Sequence, residues 1–232
     1  MIDFHMHLLP GIDDGARSCR MSAVMLKECE RQEIETLVAT PHFYFESKTE
    51  KMLALRKKSY NKVINYLKKI NQTAPGIILG FEVHLSERIY DEKNLDRLLI
   101  GDTNTMLVEM PRVKWDDKVF DRLEYVASKG YNVVLAHPER YISIADEKSY
   151  DRLFSYGFAG QINAASLVNP TLREFAYKLI EEGKIQVIGS DAHNVGLRAN
   201  FINIACDFIN QRLGKKYTVM MNENAKGFLG IK

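Results

Sequence analysis

The chain opens with Met1-Ile2-Asp3-Phe4-His5-Met6-His7, and Leu8-Leu9-Pro10-Gly11-Ile12-Asp13-Asp14-Gly15 follows directly. The two histidines stand two residues apart, on or just after a short apolar run. Side chains at that spacing on a strand point to the same face, so the imidazoles form a chelating pair. Imidazole is the commonest neutral metal ligand, and the aspartates of the following turn supply hard oxygens. This opening predicts the start of a metal site.

The overall composition argues against nucleic-acid and membrane partners. The 232 residues include 32 basic and 30 acidic side chains, a net charge of +2, with 46% hydrophobic residues. No apolar run approaches the roughly 18 residues of a membrane span, and a signal-peptide pattern is absent. Cys19, Cys29 and Cys206 form no close-spaced cluster, which indicates free thiols in a reducing compartment. We expect a single domain over residues 1–232, located in the cytoplasm.

Short β-branched runs alternate with longer amphipathic runs along the whole chain. After the opening strand, strands are predicted at 35–40, 76–81, 105–108, 132–136, 158–162 and 185–189. Helices are predicted at 19–33, 48–72, 87–99, 116–129, 146–156, 170–182 and 197–213. Seven strand-then-helix units indicate parallel strands with right-handed crossovers, hence an open doubly wound sheet or a barrel.

Polar side chains at the strand ends favour the barrel. Nearly every predicted strand ends in a possible ligand, namely His5, His7, His42, Glu82, Glu109, His137, Asn163, Asp191 and His193. An open sheet would spread these ends along an edge, whereas a barrel gathers them around one mouth. We therefore predict an α/β fold, a distorted TIM-like (β/α)7 barrel.

So many ligand types at one mouth predict more than one metal ion. Histidine and carboxylate ligands without thiolate suit manganese, iron or zinc. Clustered ions of this kind generate hydroxide at neutral pH and hold the oxygens of a phosphoryl group. Arg140 follows His137 by three residues and Arg198 follows His193 by five, so two guanidinium groups are expected over the mouth, unless they are surface ion-pair partners. The pattern predicts hydrolysis of a phosphate ester.

Three further features have a structural interpretation beside a functional one. His84 shares the strand face of Glu82 but is expected to be a structural histidine, and Asn163 is expected to have a local role rather than to contact substrate. The stretch from Cys206 to Arg212 matches the Cys-x5-Arg spacing of cysteine-based phosphatases. It lacks the glycines that such a loop needs and has helical periodicity, so we interpret the match as a coincidence.

Six motifs together resemble a known family. They are DFHMHLLPGIDDGARS (3–18), ATPH (39–42), GFEVHL (80–85), LVEMP (107–111), AHPERY (136–141) and GSDAHN (189–194). In this order they resemble the polymerase and histidinol phosphatase (PHP) superfamily. Within it they are most similar to the metal-dependent protein-tyrosine phosphatases of Gram-positive capsule and exopolysaccharide operons.

The resemblance implies a site of three divalent ions, usually manganese, with iron or zinc as alternatives. The first ion would be held by His5, His7, Glu82 and Asp191. The second would share Glu82 as a bridge and add Glu109 and His137. The third would be held by Asp14, His42 and His193, while Asp13 keeps a turn role. Arg140 and Arg198 match the family's phosphate-binding arginines.

The resemblance also implies the substrate, an autophosphorylated bacterial tyrosine kinase with a C-terminal tyrosine cluster that regulates polysaccharide synthesis. We expect a metal-bridging hydroxide to attack phosphotyrosine in line, with Arg140, Arg198 and His42 in the catalytic set. A small-molecule phosphatase such as histidinol phosphatase and a non-catalytic kinase-docking barrel are the alternatives. A contact of Phe43, Tyr44 or Phe45 with the substrate ring is a hypothesis, and the oligomeric state is left open.

Overall fold

Every strand pairing in this computed structural model, which describes residues 1–231, is parallel. The strands are Ile2–Met6 (β1), Thr36–Ala39 (β2), His42–Phe43 (β3), Gly76–Leu79 (β4), Glu82–His84 (β5), Thr105–Glu109 (β6), Asn132–Ala136 (β7), Ala159–Asn163 (β8) and Val187–Gly189 (β9). They form a three-stranded sheet, β1-β2-β4, and a six-stranded sheet, β3-β5-β6-β7-β8-β9.

The nine strands occupy seven positions around the barrel, here called strand paths, because two of these paths are each divided into two short strands. Thr40 and Pro41 separate β2 from β3, and Gly80 and Phe81 separate β4 from β5. Proline has no N–H to donate to a ladder, so pairing stops there and resumes in the other sheet. The strand predicted over 76–81 ends earlier, at Leu79, and Gly80 and Phe81 separate it from β5, which pairs in the other sheet.

The last strand returns to the first. The backbone N–H of Asp191 donates to His5 O at 2.8 Å, and that of His7 donates to Ala192 O at 3.0 Å. These bonds join the end of β9 to the end of β1, so the seven strand paths follow one another around a ring. The predicted distorted (β/α)7 barrel is confirmed.

Eight α-helices within residues 1–231 cover or close the barrel. They are Cys19–Arg31 (α1), Thr49–Lys69 (α2), Asp117–Ala127 (α3), Glu147–Ser155 (α4), Ala164–Val168 (α5), Pro170–Glu181 (α6), Ile202–Arg212 (α7) and Lys216–Leu229 (α8). The side chains of Ser18, Asp116 and Asp146 accept backbone N–H bonds at the starts of α1, α3 and α4, which explains why those helices begin there.

Two predicted helices need correction, and two observed helices, α5 and α8, were not predicted. The predicted helix over 87–99 is two short 3-10 helices, Glu87–Asp91 and Leu95–Leu98. The predicted helix over 197–213 begins only at Ile202, because residues 193–198 turn back on themselves: the N–H of His193 donates to Arg198 O at 2.9 Å. Helix α8 was not predicted, although its buried residues recur at helical spacing, at Thr218, Met221, Ala225 and Leu229.

The barrel interior is apolar at one end and polar at the other. Ile2, Phe4, Val38, Val134 and Val187 pack with Ala225 and Leu229 of α8, which closes the N-terminal end. The C-terminal ends of the strands carry the polar residues described below. Within residues 1–231, no helix combines the length and apolar character needed to cross a bilayer.

Candidate metal centre

The structure brings all nine predicted ligand side chains to the C-terminal mouth of the barrel. Four sets place one ligand atom per residue within 4.8 Å of one another: His7, Asp14, His42 and His193; His5, Glu82 and His137; His5, His7 and Asp191; and His42, Glu82 and Glu109. The sets overlap, so the side chains form one continuous cluster. Its size agrees with several adjacent ions and exceeds what one ion needs.

Glu82, at the start of β5, lies at the centre of this cluster and is fully buried. Its Oε2 atom lies 3.3 Å from His5 Nε2, 3.2 Å from His7 Nε2 and 2.8 Å from His42 Nδ1. Its Oε1 atom lies 2.8 Å from His137 Nε2. One carboxylate therefore contacts four imidazoles from three strands, β1, β3 and β7, which is the arrangement that a bridging ligand requires.

The outer nitrogens of His5 and His7 are held by groups that only accept hydrogen bonds. His5 Nδ1 lies 2.9 Å from Gln161 Oε1, and the Gln161 amide nitrogen donates to Ile162 O, so the amide oxygen faces the ring. His7 Nδ1 lies 2.7 Å from Asp13 Oδ2. Each Nδ1 must therefore carry a proton. In the neutral rings both Nε2 atoms then direct lone pairs into the cluster, as metal-binding histidines do.

Several buried atoms in the cluster have no partner in hydrogen-bonding geometry among residues 1–231, although some of them lie close to one another. These are His42 Nδ1, Glu82 Oε2, His137 Nδ1 and His193 Nε2. His193 Nδ1 lies 2.8 Å from the carbonyl oxygen of Asp191, so this ring also turns its Nε2 lone pair inward. Buried polar atoms without partners are costly, and cations coordinated by them would remove that cost. The residues present therefore fit a group of bound metal ions.

The charges at the mouth also suit cations. Burial opposes ionisation of Glu82 and Asp191, yet the charge of His5 and hydrogen bonds from neighbouring imidazoles hold the pKa of both carboxyls well below its usual range. Burial and the nearby charge of His7 lower the pKa of His193 to about 4. Ionised carboxylates and a neutral imidazole are the forms that bind metal.

Protons compete with metal at the first two histidines. Burial alone would lower the pKa of His5 and His7, but the surrounding carboxylates outweigh it, and the pKa of His7 lies well above its ordinary value. The carboxylates thus attract positive charge to this point, and metal binding must release protons there.

Two ligand-bearing strands end in strained backbone. His137 and Asp191 have φ values of 35° and 50°, in the left-handed region that residues other than glycine rarely adopt. Gly189, two residues before Asp191, packs against β1, where an added Cβ would lie 2.6 Å from His5 Cβ. Only glycine allows β9 to lie this close to the first histidine.

Two arginines border the open side of the cluster. Arg140 Nη2 lies 2.7 Å from Asp191 Oδ2, and Arg198 Nη1 lies 2.7 Å from Asp14 Oδ2. Their side chains are 25% and 41% exposed, and both line a cleft of about 670 Å³ above the ligands. Both guanidinium groups therefore lie over the mouth of the barrel, as predicted.

Two supporting residues were missed or underestimated from sequence. Asp13 does make the expected turn contact, accepting from the N–H of Gly15 at 2.9 Å, but it also holds His7 and accepts from the N–H of His42 at 3.0 Å. Its role is thus wider than the predicted turn. Gln161 was not singled out, although a polar residue within the buried strand β8 was a usable signal.

The three features with two interpretations are resolved by their contacts. Asn163 has a local role, since its side chain caps α5 through Ala165 N and donates to Asp191 Oδ2 at 2.9 Å. His84 Nδ1 lies 3.3 Å from Glu109 Oε2, yet His84 belongs to none of the four sets. Cys206 is buried within α7 and does not line the cleft. The Cys-x5-Arg segment is therefore helical and does not form a phosphate-binding loop.

The sequence has clear relatives. The family model described as "Capsular polysaccharide synthesis, CpsB/CapC" matches residues 1–229. Tyrosine-protein phosphatase YwqE of Bacillus subtilis is 33% identical, with 97% of this chain and 90% of the relative covered. Tyrosine-protein phosphatase CpsB of Streptococcus pneumoniae is 26% identical, with 93% and 92% covered.

Solved structures also match this chain. A structure from work on B. subtilis YwqE and S. pneumoniae CpsB, described there as metal-dependent tyrosine phosphatases, superposes with a TM-score of 0.87 at 30% identity. That match covers 100% of this chain and 95% of the other. The phosphotriesterase homology protein of Escherichia coli matches with a TM-score of 0.58 at 9% identity over 98% of both chains, which reflects a shared barrel fold alone.

Proposed function

This chain belongs to the CpsB/CapC family of capsular polysaccharide synthesis, and from that membership we propose that it is a metal-dependent protein-tyrosine phosphatase acting as a single domain over residues 1–232. One observation carries the proposal. Histidine and carboxylate side chains from separate strand ends converge with unpartnered buried atoms, directly beneath two partly exposed arginines. Such a site combines cation binding with recognition of a phosphoryl group.

The proposed cofactor is three divalent ions, with Mn²⁺ preferred over iron or zinc. The nine side chains that would hold them are His5, His7, Asp14, His42, Glu82, Glu109, His137, Asp191 and His193. When bound, such ions supply a hydroxide nucleophile at neutral pH and positive charge for the phosphoryl oxygens. Supporting this assignment, Gln161 and Asp13 fix the inward tautomers of His5 and His7.

The protein's own groups would orient the phosphate and stabilise the charge that develops on it. Arg140 and Arg198 each offer planar N–H donors that match phosphate oxygens. Both are paired with carboxylates of the cluster, so they are already held at the mouth. The leaving phenol has a pKa near 10, so charge stabilisation suffices with little help from a general acid. We propose in-line displacement without a phosphoenzyme.

The proposed substrate is an autophosphorylated bacterial tyrosine kinase, attacked at its C-terminal tyrosine cluster, and the proposed role is regulation of capsular or exopolysaccharide synthesis. Two findings support it. The matching family model concerns capsular polysaccharide synthesis, and the relatives named above are tyrosine-protein phosphatases.

The test measures metal content and turnover together. Protein purified without chelator is analysed for metal, stripped, and assayed on a phosphotyrosyl peptide while Mn²⁺ is restored. We expect activity to return with about three ions per chain, and His42→Ala to stay inactive. Much faster turnover of histidinol phosphate would overturn the protein substrate, and metal-loaded protein that binds the kinase without hydrolysing it would overturn the enzymatic role.

A further inference from the structure

We propose that Tyr44 forms one wall of an aryl slot above the metal cluster, and that it makes the site prefer aryl over alkyl phosphates. This inference rests on the proposed phosphatase function and concerns the substrate side chain that the site accepts. It is based on the exposed position of the Tyr44 ring, compared with the buried rings of Phe43 and Phe45.

The sequence Phe43-Tyr44-Phe45 offers three candidate rings, and the structure separates them. Phe43 is fully buried and packs on Phe81 and Phe45, with ring centroids 5.3 Å and 5.1 Å apart. Phe45 is 8% exposed, whereas Tyr44 is 43% exposed. Two of the three rings therefore belong to the core, and only Tyr44 is available to a ligand.

Tyr44 stands directly beside the candidate metal ligands. Its ring centroid lies 5.5 Å from that of His42 and 5.4 Å from that of His84. Tyr44 directly follows β3 and is two residues after His42, so alternation of the extended backbone places both side chains on the same side. The two imidazoles hold the phenol ring at the edge of the cluster.

Apolar groups continue the same wall. Pro111 and Val113 follow β6 and line the same cleft as Tyr44, and Val113 is 57% exposed. The strand order β3-β5-β6 places His84 between them and Tyr44. Arg140 and Arg198 also line this cleft, so one cavity offers cations for a phosphate together with an aromatic and an apolar surface. Phosphotyrosine carries a phosphate for the cations and an aromatic ring for the second surface, whereas an alkyl phosphate has no ring.

The ring of Tyr44, rather than its hydroxyl, is the part that would contact substrate. Within residues 1–231 the Tyr44 hydroxyl makes no side-chain hydrogen bond, and the contacts of Tyr44 with His42 and His84 are made by its ring. Aromatic rings attract one another in offset or edge-to-face arrangements, and that attraction survives replacement of tyrosine by phenylalanine. If the ring forms the slot, Tyr44→Phe should therefore keep the contact with substrate, whereas Tyr44→Leu should lose it.

The first measurement is equilibrium binding to the metal-loaded protein, using phenylphosphonate and methylphosphonate as matched probes with and without a ring. Tyr44→Leu should weaken phenylphosphonate binding by about 3- to 10-fold and change methylphosphonate binding by less than about 2-fold. Tyr44→Phe should resemble the wild type. Tyr90→Ala is the control, because Tyr90 is 48% exposed and lies outside the cleft.

The second measurement is turnover of a phosphotyrosyl and a phosphoseryl peptide of the same sequence. Tyr44→Leu should raise KM for the phosphotyrosyl peptide by a similar factor and leave kcat nearly unchanged. Equal losses for both probes or both peptides would overturn the slot, because Tyr44 would then support the phosphate site in general. Wild-type protein that turns over neither peptide would instead contradict the proposed phosphatase function.

Discussion

The Nε2 atoms of His5 and His7 face each other at 3.0 Å in the interior of the barrel mouth. Because Gln161 and Asp13 hold the protons of these rings on Nδ1, two nitrogen lone pairs of the neutral rings would point at the same small space. Lone pairs at this separation repel unless a proton or a metal ion lies between them. The facing nitrogens of His5 and His7 therefore favour the binding of a proton or a metal ion at this point.

Metal removal should therefore affect stability as well as activity. Ions that bind only the folded chain stabilise it, by about 3 kcal/mol at one hundred times the dissociation constant. For a chain of this length, that corresponds to a melting temperature roughly 5–10 °C lower after chelation. Thermal unfolding followed by circular dichroism checks it, with a chelator pre-loaded with calcium as the control. An unchanged melting temperature would argue against structural coupling of the ions.

Asp13→Ala should weaken metal binding without removing a ligand. The carboxylate of Asp13 holds His7 Nδ1 at 2.7 Å, and groups of this kind typically contribute 10- to 100-fold to metal affinity. Competition with a fluorescent chelator measures the loss. Asp116→Ala is a matched control, since Asp116 caps α3 with a similar contact to a backbone N–H, at Val119. Equal metal affinity in both variants would contradict the orienting role.

Arg140→Ala and Arg198→Ala should each lower kcat/KM on a phosphotyrosyl peptide. A hydrogen bond to a charged group contributes about 1.5–3 kcal/mol, which corresponds to roughly 10- to 150-fold. Arg140→Lys should recover only part of the loss, because an ammonium group cannot reproduce the planar fork. Arg31→Ala, which removes an exposed guanidinium paired with Glu28, should match the wild type. A full rescue by lysine would contradict bidentate phosphate binding.

Gly189→Ala should destabilise the fold and the site together. The added Cβ would lie 2.6 Å from His5 Cβ, so β9 and β1 must separate, at a cost of about 1–3 kcal/mol. The opposite change in stability is expected for Gly227→Ala. Its added methyl group meets nothing within 4 Å inside α8, so the free energy of unfolding should rise by about 0.5–1 kcal/mol. Chemical denaturation of both variants measures whether the free energy of unfolding falls for Gly189→Ala and rises for Gly227→Ala.

Cys206→Ser should leave turnover unchanged. Burial raises the pKa of the Cys206 thiol to about 12, so this thiol stays protonated and unreactive throughout the range from pH 6 to pH 9. Iodoacetamide should likewise leave Cys206 and buried Cys29 unmodified in the native protein, while half-buried Cys19 is open to reaction. Mass spectrometry before and after unfolding counts the modified thiols. Inactivation that tracks modification of Cys206 would point to a cysteine mechanism.

Local periodicity accounts for the parts of the fold that were predicted correctly. Runs of β-branched residues mark most strands, and capping residues such as Ser18 and Asp146 mark helix starts. The end of the second strand before Pro41 was predicted, but its continuation as β3 in the other sheet and the interruption at Gly80 were not, because the apolar pattern does not show which strands will pair. The reversal over 193–198 was missed for a similar reason, since it depends on a bond between His193 and Arg198.

The sequence by itself determined which side chains stand at the strand ends, because that depends only on where each strand stops. The tertiary structure alone decided which atoms meet. Ring closure brings His5 to Gln161 and Asp191, and the register of β3 against β5 pairs His42 with Glu82. These contacts span tens to hundreds of residues, so no local pattern encodes them. The same holds for Tyr44, whose exposure beside the cluster depends on Phe43 and Phe45 filling the core.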